Sequence, residues 1–171
     1  MAEDGSELFL THYVGGVWRA PFGTVLIESA DPFHPLVAAG PDDFARVRAA
    51  AQAAAPIWAG LGPAARRAVL PGDWADLAGA GSAGSKGGQL WLLPWDDTFT
   101  VLALVRLLVA GDLAVVLPAP DNPMPAYRLA QALHEAGLHD RAPPSGVFAL
   151  LAATDASAVA AALGARLATG G

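Results

Sequence analysis

The chain of 171 residues contains no cysteine. This absence excludes disulfide bonds, thiolate metal ligands and a thiol nucleophile, and it leaves the redox compartment undetermined. Basic residues are also scarce, because the sequence has 10 lysines and arginines against 16 acidic residues, and its only lysine is Lys86. A net charge of -6 without a basic stretch argues against nucleic acid as a partner.

Long apolar runs are absent as well. The best candidate for a membrane span is interrupted by Arg106 and Gly111, so no run is long enough to cross a bilayer. The first residues, Met1 to Gly5, are acidic and polar and do not have the pattern of a secretory signal. We therefore expect a cytoplasmic protein without a membrane partner. Its 54% hydrophobic composition is typical of a chain that packs a core.

The segment from Gln89 to Pro120 has the pattern of a strand, a helix and a second strand. Two apolar runs, Leu90–Leu93 and Leu113–Leu117, flank a helix-length apolar segment that ends at Gly111. Neither run alternates polar and apolar residues, which is typical of strands buried on both faces. The pattern predicts one βαβ unit of a parallel α/β sheet.

The rest of the C-terminal part continues this alternation. The predicted elements are a helix from Pro125 or Ala126 to Ala136, a strand over Gly146–Ala152, a helix over Ala156–Leu163 capped by Thr154 or Asp155, and a strand over Arg166–Thr169. The predicted fold class is α/β, with a partial doubly wound, Rossmann-like parallel sheet preceded by a small β-hairpin and a helical segment.

Four regions organise the chain. Residues 1–10 are predicted to be a mobile tail and residues 11–70 a segment of hairpin, strands and helices. Residues 71–88 are rich in glycine and serine and are predicted to be a linker, and residues 89–171 form the truncated Rossmann-like domain. Within the second region we predict a hairpin turn at Gly15-Gly16, strands over Thr24–Ser29 and Pro35–Ala38, and helices that begin near Asp42, as the cap, and at Pro63.

Several of these motifs resemble the aldehyde dehydrogenase superfamily. Pro94-Trp95-Asp96 follows the first strand, where that family has Pro-Trp-Asn-Phe-Pro, and Gly111-Asp112 with Val115-Val116-Leu117-Pro118 is similar to its Gly-Asn-Thr-Val-Val-Leu-Lys-Pro-Ser. The opening Tyr13–Trp18 resembles the family's Ile-Gly-Gly-Glu-Trp. The resemblance covers roughly residues 11–70 and 89–171. It implies a cofactor domain whose degenerate NAD(P) positions are Pro94, Trp95, Asp96, Leu117, Pro118 and Ala119.

The polar residues of the family pattern are replaced in this chain. Asp96 stands where the family has an asparagine whose amide donates to the developing oxyanion, and a carboxylate can only accept and repels an anion. Leu117 and Pro120 stand where a lysine and often a glutamate bind the adenosine ribose. NAD(P) binding is therefore expected to be weakened or absent, the alternative being a different mode through Asp121 and Asn122. The family's catalytic cysteine and general-base glutamate belong to a part that this chain lacks.

The remaining polar residues that could form a site each have a structural explanation as well as a functional one. In the functional interpretation, Asp96 and Asp97, beside Thr98, form a carboxylate pair for acid–base chemistry. In the structural interpretation, Asp97 or Thr98 is the N-cap of the next helix. The four histidines show no metal-ligand spacing and are expected on the surface or in loops; they are His12, His34, His134 and His139. Residues 84–88 only imitate a phosphate-binding loop, because a strand rather than a helix follows.

Three functions remain open from the sequence. The first is an aldehyde-dehydrogenase-like pseudoenzyme that acts as a structural or interaction subunit and assembles with itself or with a full-length aldehyde dehydrogenase. The second is a nucleotide-binding half-module that a partner chain completes. The third is an enzyme that uses Asp96 and Asp97. The replaced residues favour the first, and the open edge expected beside residues 166–169 favours an oligomer.

Overall fold

The computed structural model describes residues 10–28, 32–72, 74–77, 79, 86–138 and 143–168. In chain order these residues form β1 (His12–Val14), β2 (Val17–Arg19), α1 (Pro41–Gly60), α2 (Pro63–Ala68), α3 (Trp74–Leu77), β3 (Leu90–Pro94), α4 (Thr100–Ala110), β4 (Leu113–Leu117), α5 (Met124–Leu138), β5 (Phe148–Leu150), α6 (Ala156–Leu163) and β6 (Arg166–Leu167). None of these helices combines the length and the apolar character that a bilayer span needs.

One sheet of six strands, in the order β2-β1-β5-β4-β3-β6, forms the centre of the described structure. Strands β3, β4, β5 and β6 are parallel, as the buried apolar runs predict. The hairpin β1–β2 extends this sheet, because Tyr13 pairs antiparallel with Leu150. Its two-residue turn consists of Gly15 and Gly16, with φ of 63° and 81°, the region that such turns require at both central positions. The predicted α/β, Rossmann-like fold class is confirmed.

The two faces of the sheet pack against different helices. One face, with Leu93, Val116 and Leu150, packs against α4 and α5. The other face, with Leu92, Val115 and Leu151, packs against α6 and Val47 of α1. Because successive residues of β3 and β4 are buried on opposite faces, the strands carry continuous apolar runs instead of an alternating pattern.

Helix α1 lies across the amino ends of the parallel strands. A Cβ atom added to Gly146, just before β5, would lie 2.3 Å from the carbonyl oxygen of Ala50. A Cβ atom on Gly87, just before β3, would lie 3.5 Å from the Cβ atom of Ala59. The two contacts are nine residues apart along α1, so the helix covers this end of the sheet and leaves the carboxyl ends of the strands to the connecting loops.

A buried arginine joins two helix ends at the covered edge. The Nε atom of Arg66 donates to the Val109 carbonyl at 2.8 Å, and Nη1 donates to the Trp58 carbonyl at 3.2 Å and to those of Ala59 and Leu61. These carbonyl groups lie at the carboxyl ends of α4 and α1, where the helix itself provides no partner and a cation is favoured. Burial lowers the pKa of Arg66, and the charge of Asp112 partly opposes this effect.

The N-terminal strands are shorter than the sequence predicts. In place of strands over Thr24–Ser29 and Pro35–Ala38, the described residues form a single bridge between Leu26 and Val37. Two hydrogen bonds flank the bridge, from Ile27 N–H to the Leu36 carbonyl at 2.9 Å and from Ala38 N–H to the Val25 carbonyl at 2.8 Å. Pro35 begins the second of these segments, and proline is depleted in strands.

Several element ends also differ from the prediction. The N-cap of α1 is Gly40 and not Asp42, because Pro41 takes the first helical position and the Asp43 side chain reaches back to Gly40 N–H. Helix α5 continues through Gly137 to Leu138, and β5 covers only Phe148–Leu150 of the predicted Gly146–Ala152. The ends of α4 at Gly111 and of α6 at Gly164 are confirmed, both with left-handed backbone.

Residues 1–9 of the predicted tail and residues 73, 78 and 80–85 of the predicted linker lie outside the described residues, as does Thr169. The division of the chain into four regions therefore stays a prediction. At the C-terminal end of the linker, Gly88 N–H donates to the Gly111 carbonyl at 2.8 Å, so the chain is joined to the end of α4 just before β3 begins.

We expect Arg66→Met to destabilise the fold by about 3 kcal/mol, because it leaves buried carbonyl groups of α1 and α4 without a donor. The matched control is Arg67→Met, since the neighbouring Arg67 makes an exposed bond to the Gly79 carbonyl. Its effect should stay within about 0.5 kcal/mol. Urea unfolding followed by circular dichroism measures both values, and equal losses in the two variants would contradict the role of Arg66.

Candidate functional site

The carboxyl edge of the sheet brings the six predicted cofactor positions together. Strands β3 and β4 end side by side, with Pro94 opposite Leu117 in the parallel register. Trp95 N–H donates to the Leu117 carbonyl at 2.8 Å, which extends the pairing one residue beyond β3. The segments Pro94-Trp95-Asp96 and Leu117-Pro118-Ala119 therefore lie next to each other, at the edge where open α/β sheets bind their ligands.

Asp96 caps the turn that leads into α4. Its Oδ1 atom accepts from the N–H groups of Thr98 at 2.9 Å and Phe99 at 3.0 Å, and from the Thr98 hydroxyl at 2.7 Å. Its carbonyl accepts from Thr100 N–H at 3.0 Å. The N-cap position of α4 itself is Phe99, without a side-chain cap, so the prediction that Asp97 or Thr98 caps this helix was wrong. The bonds of the capping type come from Asp96 and close the turn just before the helix.

Both carboxylates of the predicted pair bond within their own turn. The Thr98 hydroxyl, and then the N–H groups of Thr98 and Phe99, hold the pKa of Asp96 below its ordinary value. Asp97 accepts from the indole Nε1–H of Trp95 at 2.6 Å. A general acid needs a raised pKa and a free proton position, so the geometry gives no support to acid–base chemistry by this pair.

The segment Leu117-Pro118-Ala119, which follows β4 at this edge, has apolar side chains. Leu117 is only 4% exposed and packs in the apolar layer with Val159 and Leu163 of α6. The Ala119 carbonyl accepts from Asn122 N–H at 3.1 Å and closes a turn, where Asp121 and Asn122 are exposed. Neither Leu117 nor Ala119 has a polar side-chain group for a ribose. These residues do not fit the contacts that the resemblance associates with NAD(P).

His12 is buried, contrary to the prediction that all four histidines lie on the surface or in loops. It is 1% exposed, because β1 is an inner strand and Val37 and Asp43 lie against its ring. Its Nε2 atom lies 3.0 Å from the Val37 carbonyl, and its Nδ1 atom lies 3.6 Å from Asp43 Oδ1. His34 and His134 are half-buried, and His139 lies outside the described residues.

Asp43 is the buried partner of His12. It accepts from the N–H groups of Phe22 at 3.0 Å, Gly23 at 3.3 Å and Gly40 at 3.0 Å. Burial alone would raise the pKa of Asp43, but these three hydrogen bonds and the nearby His12 hold the pKa below its ordinary value. The carboxylate thus fastens the loop after β2 to the start of α1, and its role is structural.

The described side chains form no cluster of metal ligands beside these groups. Within residues 10–28, 32–72 and the other described ranges, no three His, Asp or Glu side chains gather in a way that could hold a metal ion. The sequence reasoning missed Arg66, Asp43 and Asp112, three buried charged groups. Each of them bonds to backbone far away in the sequence, and no local pattern marks such a partner.

Comparisons with known proteins identify the fold. No protein-family model and no curated protein matches the chain by sequence. Solved structures do match by fold, and those with high similarity are aldehyde dehydrogenases. A mutant of aldehyde dehydrogenase C from Pseudomonas syringae, solved with NAD+ and octanal, has a TM-score of 0.68 and 20% identity over 94% of this chain and 50% of that one.

Two further structures agree with this match. A salicylaldehyde dehydrogenase from Pseudomonas putida G7 has a TM-score of 0.64 and 19% identity, over 89% of this chain and 44% of that one. The NAD+ complex of an aldehyde dehydrogenase from Bacillus cereus has a TM-score of 0.66 and 17% identity, over 93% and 46%. The chain therefore has the aldehyde dehydrogenase fold, as the sequence motifs predict. It spans about half the length of the solved structures it matches.

We expect the stability of the protein to fall as the pH is lowered below 6.5, the ordinary pKa of histidine. Burial lowers the pKa of His12. The hydrogen bond to Val37 and the charge of Asp43 raise this pKa to a lesser extent, and the charge of Arg46 lowers it slightly. Below pH 6.5 the unfolded chain therefore binds a proton at His12 before the folded chain does. The free energy of unfolding falls from pH 6.5 down to the pKa of His12 in the folded chain. The corresponding loss from Asp43 begins only below its ordinary pKa of 3.8.

His12→Gln keeps a donor for Val37 and should remove most of this loss, whereas His34→Gln should retain it. Urea midpoints measured across this pH range test the expectation. A profile that is the same in His12→Gln and in the native chain would show that His12 does not carry it.

Proposed function

We propose that the chain is an aldehyde-dehydrogenase-like pseudoenzyme that acts as a structural or interaction subunit and does not oxidise aldehydes itself. The observation that carries the proposal is the capping bond network of Asp96. At the position where the resemblance implies an amide donor, the carboxylate accepts three hydrogen bonds from Thr98 and Phe99. A carboxylate held in its charged form repels a developing oxyanion and cannot donate to it.

Two further features support the same conclusion. The chain contains no cysteine, so it cannot form the covalent thiohemiacetal of the family's mechanism. The buried Leu117 replaces the lysine that binds the adenosine ribose in that family. The fold is retained without the polar donors and without a cysteine, as expected of a subunit selected for shape and assembly.

The partner we propose is a second copy of the chain or a full-length aldehyde dehydrogenase, in the cytoplasm, with no nucleic acid or membrane involved. The loop between β2 and α1 exposes large apolar side chains, with Val25 68% and Leu26 56% exposed. Exposed apolar side chains that lie together commonly mark protein interfaces. At the other end of the sheet, the outer edge of β6 has no neighbouring strand among the described residues.

The alternative function is an NAD(P)-binding half-module that a partner chain of an aldehyde dehydrogenase completes. The close pairing of Pro94 with Leu117 favours it, because the backbone frame of the edge is intact. Asp121 and Asn122 are exposed beside this edge and would supply the polar contacts. Two of the similar structures were solved with NAD+.

We expect no aldehyde oxidation by the isolated protein with NAD or NADP, and a Kd for either dinucleotide weaker than about 1 mM. Calorimetric titration and an absorbance assay at saturating aldehyde, with a full-length aldehyde dehydrogenase as positive control, measure both. Clear micromolar binding without turnover would favour the half-module instead. Turnover that Asp96→Ala abolishes would refute both non-catalytic functions and establish the third.

We expect the purified protein to sediment as at least a dimer at low micromolar concentration, or to co-sediment with an aldehyde dehydrogenase from its host. The double variant Val25→Glu, Leu26→Gln should shift the species toward monomer, because it places charge on the exposed apolar loop. Leu138→Gln is the control, since Leu138 is as exposed, at 72%, but lies at the end of α5. A monomeric native chain that recovers no partner would rule out the proposal.

A further inference from the structure

Helix α4 has two apolar faces, one buried and one only partly covered, where Phe99, Ala103 and Leu107 pack against the core with part of their surface. The buried face consists of Thr100, Leu104, Val105, Leu108 and Val109. The second face carries Phe99, Leu102, Ala103, Arg106 and Leu107, which follow the spacing i, i+3, i+4, i+7 and i+8 of one helix side. These residues are half-buried or, for Arg106, exposed. A helix that is apolar on all sides is normally covered on all sides, so this second face is suited to a ligand.

A groove lies between this face and the edge of the sheet, and we refer to it as the α4–β6 groove. It has a volume of about 370 Å³, and its walls include Trp91, Phe99, Leu102, Leu107 and Leu167, with Arg106 among the lining residues. This volume is within the range of small-molecule sites, which are mostly apolar with a few placed polar groups. The groove is separate from Asp96 and from the turn at Ala119.

The inner wall of the groove is held in place. The indole Nε1–H of Trp91 donates to Asp112 Oδ2 at 3.3 Å, and Asp112 also accepts from Gln89 N–H at 3.1 Å. Asp112 is buried at the start of β4, so it fixes the indole from the protein side. The ring of Trp91 therefore presents a fixed flat apolar surface at the groove.

Two guanidinium groups stand beside this apolar surface. Arg166 lies opposite Trp91 in the parallel register of β6 and β3, and its Cζ atom is 5.6 Å from the centre of a Trp91 ring. Arg106 is the only charged residue of α4. Both arginines are exposed, and neither forms an ion pair with another described residue. Their donors are thus available for an anion at the groove.

We propose that the α4–β6 groove binds a small molecule that combines a carboxylate group with an apolar body. The body packs on Trp91, Phe99 and Leu102, and the carboxylate accepts charge-assisted hydrogen bonds from Arg106 and Arg166. The planar guanidinium matches a carboxylate in two-point geometry, and this complementarity of charge and apolar surface identifies the ligand class. The proposal does not depend on whether the chain is a pseudoenzyme.

The test is a titration of the full chain with decanoate, below its micelle concentration, and with decan-1-ol as the uncharged match. Tryptophan indole signals in nitrogen-15 NMR spectra, assigned through Trp91→Phe, report the position of the ligand. We expect saturable one-to-one binding that moves the Trp91 signal but not that of Trp58, which is fully buried elsewhere. Decan-1-ol should bind about tenfold more weakly, because it lacks the charge.

The arginine variants test the head-group contacts. Arg106→Gln and Arg166→Gln should each weaken decanoate binding about tenfold and leave decan-1-ol binding unchanged. Arg128→Gln, an exposed arginine on α5, should change neither affinity, and urea midpoints confirm that all three variants fold.

Three results would overturn the proposal. One is equal affinity for decanoate and decan-1-ol, which would show an apolar surface without anion selectivity. Another is unchanged decanoate binding in both arginine variants. The third is a dimer that covers Trp91 and excludes decanoate at every concentration, because the groove would then be an interface between two copies of the chain.

Discussion

Arg66 donates hydrogen bonds to carbonyl groups at the carboxyl ends of α1 and α4, and this contact fixes how α1 lies across the sheet. The carbonyls at a helix end need donors from outside the helix, and one guanidinium supplies them for two helices. There is room for it because Gly111 has no side chain; a Cβ atom there would lie 2.7 Å from Arg66 Nη1. With α1 held in this way, the amino ends of β3 and β5 are covered. The loops at the carboxyl ends are then free to vary.

The elements that the sequence predicts correctly are those whose signals are local. The apolar runs of β3 and β4 can be recognised without knowing their partners, because a strand buried on both faces is apolar along its whole length. Gly111 and Gly164 mark helix ends by a backbone conformation that glycine adopts without strain, and both helices end there. The Gly15-Gly16 turn belongs to the same class, since two neighbouring residues decide the geometry.

Some of the predictions that fail depend on contacts between distant residues, and others on a choice among neighbouring residues. Nothing near His12 in the sequence shows that the Val37 carbonyl will lie against its ring or that Asp43 will lie 3.6 Å away. Gly137 is similar to Gly111 as a helix stop, yet α5 continues to Leu138. In the candidate site, the sequence located the carboxyl edge. It did not identify Asp96 as the residue that closes the turn before α4, because Asp96, Asp97 and Thr98 all have side chains that can accept from a backbone N–H.

The charged groups of the molecule act differently at the two ends of the sheet. At the amino end Arg66 and Asp112 are buried, so a change in either of them leaves polar groups without partners and costs stability. At the carboxyl edge Asp96, Asp97, Asp121 and Asn122 are exposed, and their bonds stay within short turns. A replacement there alters chemistry while the core of β3, β4 and their helices stays packed. This separation explains how the fold can be kept at 20% identity or less while the residues at the carboxyl edge change.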